Sequence, residues 1–91
     1  MSTEPFHLLP IFLEIDGVPV MLVEVSKQNP VFGDPYYIAS VRIHYKGIVS
    51  KVFPLQVKDE TDLKNKLKVE ITKIKFIELM YGLEEVRRLI A

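Results

Sequence analysis

The segment SVRIHYKGIVSKVF, residues 40–53, concentrates the side chains best suited to chemistry in this sequence. It contains no acidic residue, and its cationic side chains are Arg42, His44, Lys46 and Lys51. Cationic groups that follow phosphates, next to aromatic rings that stack on bases, are typical of proteins that bind single-stranded nucleic acids. With two aromatic neighbours added, the predicted nucleic-acid site consists of Tyr36, Arg42, His44, Lys46, Lys51 and Phe53. The alternative is a solvated hairpin whose charges only protect a strand edge from aggregation.

Catalysis and metal binding are not indicated by any motif in the sequence. The imidazoles of His7 and His44 stand at no metal-ligand spacing, and the chain has no cysteine. There is neither a Gly-x-Ser-x-Gly elbow nor a glycine-rich phosphate loop. A small enzyme built on His44 and Glu24 would need a pocket that joins them, and Glu24 is predicted on the inward face of its strand. We therefore predict a protein that is not an enzyme and has no metal, cofactor or small-molecule substrate.

The composition is that of a small globular protein. Hydrophobic residues make up 48% of the 91 residues and the formal net charge is zero, a balance that is too apolar for a disordered chain. The N-terminal apolar run has no basic start and is interrupted by Pro10 and Glu14, which argues against a signal peptide or a membrane span. We expect one domain over residues 1–91, with residues 1–7 as a flexible N-terminus, and a cytoplasmic location. Abundant Lys, Glu, Ile and Val would suit a thermophile.

Two β-hairpins are predicted in the first 57 residues. The first turns at Asp16-Gly17, one of the strongest hairpin signals. Its inward face pairs Ile11 with Leu22, Leu13 with Val20 and Ile15 with Val18. Its outer face pairs Phe12 with Met21, Pro10 with Val23 and Leu8 with Val25.

The second hairpin turns at Lys46-Gly47, a weaker turn dipeptide. A two-residue turn places His44 opposite Val49, Arg42 opposite Lys51, Ser40 opposite Phe53 and Tyr36 opposite Val57. That register would put Pro54 at a hydrogen-bonded position, so we expect the pairing to bulge or end near it.

A long helix and a short one follow the hairpins. Asp59 is the predicted N-cap, and the first helix runs to about Tyr81, where Gly82 ends it in a left-handed cap. Its predicted core stripe is Leu63, Leu67, Ile71, Ile74, Ile77 and Tyr81, at a spacing close to 3.6 residues. The last helix is predicted to face the core with the side chains of Leu83, Val86, Leu89 and Ile90. The fold class is therefore α+β, a four-stranded antiparallel sheet followed by two helices, which resembles in element order the PC4-type single-stranded DNA-binding domains.

The predicted fold has more apolar surface than one sheet and one helix can bury. A helix covers one face of a sheet, and an apolar patch left in water usually marks an interface. We therefore expect a homodimer, and its predicted interface consists of Phe12, Met21, Val23, Val69, Phe76 and Met80. The alternative is that the last helix folds back and covers the helical part of this set. The function expected first is single-stranded nucleic-acid binding by such a dimer, and the competing one is a protein-interaction or assembly module.

Overall fold

The computed structural model describes residues 10–91 and has the predicted α+β architecture. The strands are β1 (Ile11–Ile15), β2 (Val18–Gln28), β3 (Tyr36–Tyr45), β4 (Ile48–Val49) and β5 (Phe53–Val57), and the helices are α1 (Glu60–Tyr81) and α2 (Leu83–Ile90). The sheet order is β1-β2-β3-β4, and β5 also pairs with β3. The fourth position of the sheet is thus shared by two short strands. The expectations for residues 1–7, for His7 and for the pair Leu8–Val25 involve residues outside the described range.

The first hairpin has the predicted register. Its pairs include Ile11 with Leu22, Phe12 with Met21, Leu13 with Val20 and Ile15 with Val18. Asp16 and Gly17 both have positive φ, at 52° and 80°, as a type I′ turn requires.

A bulge in β2 changes which side chains of that strand face the core. Leu22 pairs with Val41 but Glu24 pairs with Ser40, so Val23 is an extra residue. Beyond the bulge, Val25 lies opposite the fully buried Ala39 and packs against the core. The predictions of an inward Glu24 and an outward Val25 are therefore wrong, because one extra residue exchanges the two faces of a strand.

The second hairpin begins in the predicted register and then slips by one residue. His44 pairs with Val49 as expected, but Phe53 pairs with Val41 instead of Ser40, and Val57 pairs with Tyr37 instead of Tyr36. The two residues Lys51 and Val52 span the position opposite Arg42, so the predicted pair of Arg42 with Lys51 is also wrong. The interruption of the pairing that we expected near Pro54 does occur, but a few residues earlier, between the end of β4 at Val49 and the start of β5 at Phe53.

Buried hydrogen bonds hold this break in place. Ser50 is buried; its backbone N–H donates to Ile43 O and its Oγ accepts from Ile43 N, both at 2.8 Å. The backbone N–H of Lys51 turns away from β3 and donates to Ile90 O in α2 at 2.8 Å. The slip lets Phe53, Leu55 and Val57 face the core, which a regular register would have prevented.

Both helices lie on one face of the sheet and form the core with it. Asp59 caps α1 by accepting from Asp62 N at 2.8 Å, as predicted. The buried helical residues are Leu63, Leu67, Ile71, Ile74 and Val86, with Ile77, Leu83 and Ile90 packed beside them. Tyr81 and Leu89 are exposed, contrary to prediction. On the last turn of α1 it is Glu78 that contacts the sheet, and Leu83 of α2 then packs on the core.

Candidate binding surface on the open sheet face

One face of the sheet is left uncovered by α1 and α2, and we call it the open face. In β3 the side chains of Ala39, Val41 and Ile43 are buried against the helices, so the alternating side chains point to the other side. The open face carries Tyr36, Ile38, Ser40, Arg42 and His44 from β3, Phe12 and Glu14 from β1, and Met21, Val23 and Glu24 from β2.

Side chains from both predicted sites meet at the centre of this face. Phe12, Met21 and Arg42 form a row across β1, β2 and β3. The rings of Phe12 and His44 pack edge to face, with centroids 5.5 Å apart and planes at 70°. Sequence patterns could not predict that the nucleic-acid and oligomer residues would be neighbours, because their contact depends on the pairing of β2 with β3.

Two polar atoms in this cluster are buried without a hydrogen bond. Arg42 Nε and His44 Nε2 have no partner among residues 10–91. A buried polar atom left unpaired costs about 1–3 kcal/mol. At the centre of the open face the described residues therefore leave two polar atoms without hydrogen bonds, beside a phenylalanine, Phe12, that is 61% exposed.

Lys46 lies at the second hairpin turn, where it contacts α1 rather than standing free. Its Nζ lies 2.8 Å from a carboxylate oxygen of Glu78 and 5.6 Å from the Tyr45 ring centroid. The buried Tyr45 hydroxyl donates to the other Glu78 oxygen. Burial, followed by this bond and the negative charge, raises the pKa of Tyr45 to about 12. The bonds from Lys46 and Tyr45 lower the pKa of Glu78.

Lys51 and Phe53 are also separated from the open-face cluster. Phe53 packs against the core on the helix side of the sheet, because of the register slip. Both residues line a cleft between α1, α2 and the break in the sheet. Of the six residues predicted to bind nucleic acid, the structure thus brings only Tyr36, Arg42 and His44 onto one face.

The charges around the open face are mixed. Besides Arg42, the face carries the exposed carboxylates of Glu14 and Glu24. The lysines of α1 lie on the other side of the sheet, and several are paired: Lys64 with Glu60, Lys66 with Asp62 and Lys73 with Glu70. No continuous cationic groove crosses the open face within the part of the chain that is described.

The predicted oligomer set is divided between two surfaces. Phe12, Met21 and Val23 belong to the open face, whereas Val69, Phe76 and Met80 lie on the outer side of α1 and are each more than half exposed. The last helix does not cover them, since it packs through Leu83, Val86 and Ile90.

Sequence reasoning missed two features of the surface. Ile38 is half-buried on the open face, and the alternation of β3 could have placed it there. Val31 and Phe32 in the loop between β2 and β3 are almost fully exposed. No sequence signal separates an exposed loop phenylalanine from a buried one, because that depends on what packs above the loop.

Three further observations bear on function. The cleft beside His44 is lined by Tyr45, Lys46 and Lys75 among others but not by Glu24, so it does not join the two residues of the enzyme alternative. Within residues 10–91, no group of three or more His, Asp or Glu residues is arranged to hold a metal ion. Neither described helix has the length and apolar character needed to cross a membrane.

The chain matches no protein-family model, no curated protein and no solved structure at significant similarity. The likeness to PC4-type domains therefore remains one of element order.

Proposed function

We propose that the protein is a non-catalytic assembly module that binds a protein surface with the open face of its sheet, and that a second copy of the chain is its first partner. The observation that carries this proposal is the central cluster. It combines the exposed Phe12 and the half-buried Met21 with two buried polar atoms that lack partners in residues 10–91. Burial of an apolar patch of this kind is the usual source of protein association.

The charges on the open face favour a protein ligand. A single arginine stands with Glu14 and Glu24 on the same face. Two copies facing each other across a two-fold axis can bring the arginine of one near a carboxylate of the other, since such an interface is self-complementary. A phosphate backbone would instead meet two carboxylates, and its affinity depends on the number of cations that contact it.

Single-stranded nucleic acid is the second candidate ligand of the same face. The observation in its favour is that Phe12, Tyr36, Arg42 and His44 all belong to the open face, so rings that can stack on bases accompany a cation that can bind phosphate.

In either case we propose a cytoplasmic protein, in keeping with a chain that contains no cysteine.

The oligomeric state of two matched variants tests the first candidate. Phe12 and Phe76 are 61% and 58% exposed on opposite sides of the molecule, so Phe12→Asp and Phe76→Asp should both fold. We expect the wild-type chain to dimerise in sedimentation equilibrium, and Phe12→Asp to weaken that dimer at least about tenfold, because it would replace an apolar ring at the centre of the interface with a carboxylate that must be desolvated. Phe76→Asp should leave the dimer unchanged. Loss of the dimer in Phe76→Asp alone would assign association to α1 and contradict the proposal.

The second candidate is tested by the fluorescence anisotropy of a labelled single-stranded oligonucleotide. Binding at low salt that weakens as salt rises and disappears in Arg42→Ala would favour nucleic acid over protein as the ligand. We expect no binding, since the open face offers one arginine and two carboxylates.

A further inference from the structure

The loop between β2 and β3 presents two large apolar side chains to solvent. Val31 and Phe32 are 92% and 89% exposed, the highest values among the described large apolar residues. Burying a valine or a phenylalanine fully gains about 1.5–3 kcal/mol for each side chain. This loop tip, Val31 and Phe32, is therefore the part of the described chain with most to gain from a contact that its own fold does not provide.

A cleft at the other end of β3 offers such a contact. This α2 cleft has a volume of about 410 Å³ and lies between α1, α2 and the break in the sheet. Its floor includes Ile43 and Ile74, and Val52 and Leu89 are exposed at its mouth. It therefore has an apolar interior and an apolar rim, with room for one or two large side chains.

The charges at the two places are complementary. Asp34 follows Phe32 by two residues and is exposed. Lys51 stands at the α2 cleft and forms no ion pair within the described residues, whereas its neighbour Lys73 is paired with Glu70 at 3.5 Å. A Phe32 ring seated in the cleft would bring the Asp34 carboxylate close to the Lys51 ammonium.

The loop tip cannot reach the α2 cleft of its own chain. Tyr36 begins β3 at the loop and Ile43 lies at the cleft. These two residues are separated by seven positions along a strand, or about 24 Å, and the loop tip extends the chain away from the cleft. A second copy of the chain has no such restriction.

We propose that the loop tip of one copy inserts into the α2 cleft of another, with Phe32 in the apolar interior and Asp34 beside Lys51. This contact is distinct from the open face and does not depend on the function proposed for it. It joins two different surfaces, so two copies can exchange loops reciprocally, or several copies can join head to tail.

Cysteine pairs test the contact directly because the chain has no cysteine of its own. We expect the Val31→Cys variant, which keeps the Phe32 ring, to form a mixed disulfide in high yield when it is mixed with the Val52→Cys variant and oxidised mildly. The matched control pairs Val31→Cys with Val69→Cys, which lies on the outer side of α1, and should give only the low yield of random collision. Equal yields from the two mixtures would overturn the proposal.

Association of single variants completes the test. Phe32→Ser should weaken the loop contact at least about tenfold without affecting folding, since its side chain is almost free of the fold. Asp34→Lys should weaken it too, and mixing Asp34→Lys with Lys51→Asp should restore it.

Two outcomes would contradict the loop contact. One is self-association that is unchanged in Phe32→Ser, and the other is octanoate binding to the α2 cleft with no loop-dependent association, which would identify the cleft as a small-ligand site. The open-face proposal has a separate readout. Phe12→Asp weakens association through that face and Phe32→Ser weakens association through the loop tip, so the separate effect of each variant shows which proposal fails and which stands.

Discussion

At the scale of residues, the contact between Tyr45, Lys46 and Glu78 fixes the second hairpin turn to α1. Lys46 has a φ of +48°, which non-glycine residues seldom adopt. Its ion pair with Glu78 and the hydroxyl bond from Tyr45 hold the turn against the last third of the helix. A lysine that looked available for phosphate thus contributes to the fold.

The Tyr45 hydroxyl should make folding sensitive to alkaline pH. Its pKa rises from 10.0 to about 12 on folding, so its contribution to stability is complete below pH 10 and is lost as the pH rises toward 12. We expect Tyr45→Phe to lower the free energy of unfolding by about 1 kcal/mol at neutral pH, the usual value of a lost hydrogen bond, and to remove much of the alkaline loss.

Urea unfolding between pH 7 and pH 12 measures both effects for Tyr45→Phe. The exposed Tyr81 provides the control, because Tyr81→Phe removes a hydroxyl from a side chain that is 70% exposed and outside the core cluster. An alkaline loss of the same size in Tyr45→Phe and in the wild type would contradict the assignment. The pKa of Glu78 is lowered in the fold, so its contribution is present above its usual pKa and is lost as the pH falls below it.

Single residues were also the limit of what the sequence could predict about the site. Tyr36, Arg42 and His44 share a face because a regular strand alternates, and that part of the prediction needed no partner strand. The prediction that Phe53 shares this face was wrong, because the register slip before it depends on buried hydrogen bonds such as those of Ser50. Neither Ser50 at this slip nor Val23 at the bulge in β2 carries a turn signal in the sequence.

At the scale of elements, Gly82 determines how the two helices meet. Its φ of +94° and ψ of 169° lie in a region that is essentially restricted to glycine. Its N–H donates to Glu78 O at 2.8 Å, which closes α1. The predicted glycine at the helix end is correct, but the cap is extended rather than left-handed helical, because α2 begins at the next residue.

Replacing Gly82 should therefore strain the junction. We expect Gly82→Ala to lower the free energy of unfolding by about 1–3 kcal/mol, the cost of a residue in a sparsely populated backbone region. Thermal unfolding measures the change, with Thr72→Ala on the exposed side of α1 as the control, which should stabilise by no more than about 0.7 kcal/mol because alanine has the higher helix propensity. A neutral Gly82→Ala would show that the junction adapts to a side chain.

The elements themselves were well predicted, and the reasons are local. The Asp16-Gly17 turn fixes the first register by itself, and the spacing of Leu63, Leu67, Ile71 and Ile74 fixes the inward side of α1. The prediction failed for Tyr81 and Leu89 because the ends of a helical stripe depend on where the neighbouring element stops.

At the scale of the whole molecule, the protein is elongated, with extents of 44 × 27 × 20 Å and a Cα radius of gyration of 14.4 Å. A compact domain of this length would have a radius of gyration of about 12 Å. The loop tip and the α2 cleft lie far apart in this elongated shape, so one copy exposes both and cannot bury the loop tip in its own cleft.

The bulge in β2 and the break between β4 and β5 lie on either side of the same part of β3, next to Val41 and Arg42. The ladder is therefore interrupted on both edges at one level. Of the buried strand residues, only Ala39 and Val57 lie on the loop side of that level. We expect this half to open first in native-state amide hydrogen exchange, with a lower opening free energy for Ala39 than for Ile43; equal values would contradict it.

We expect such a sheet to behave as two cooperative units joined by β2 and β3, the two strands that continue through that level. The unit that holds Phe12, Arg42 and His44 can stay folded while the loop end opens and closes. The loop end can therefore accept insertions or sequence drift without endangering the rest of the fold, and the loop tip can be gained or lost in evolution while the central cluster of the open face is kept.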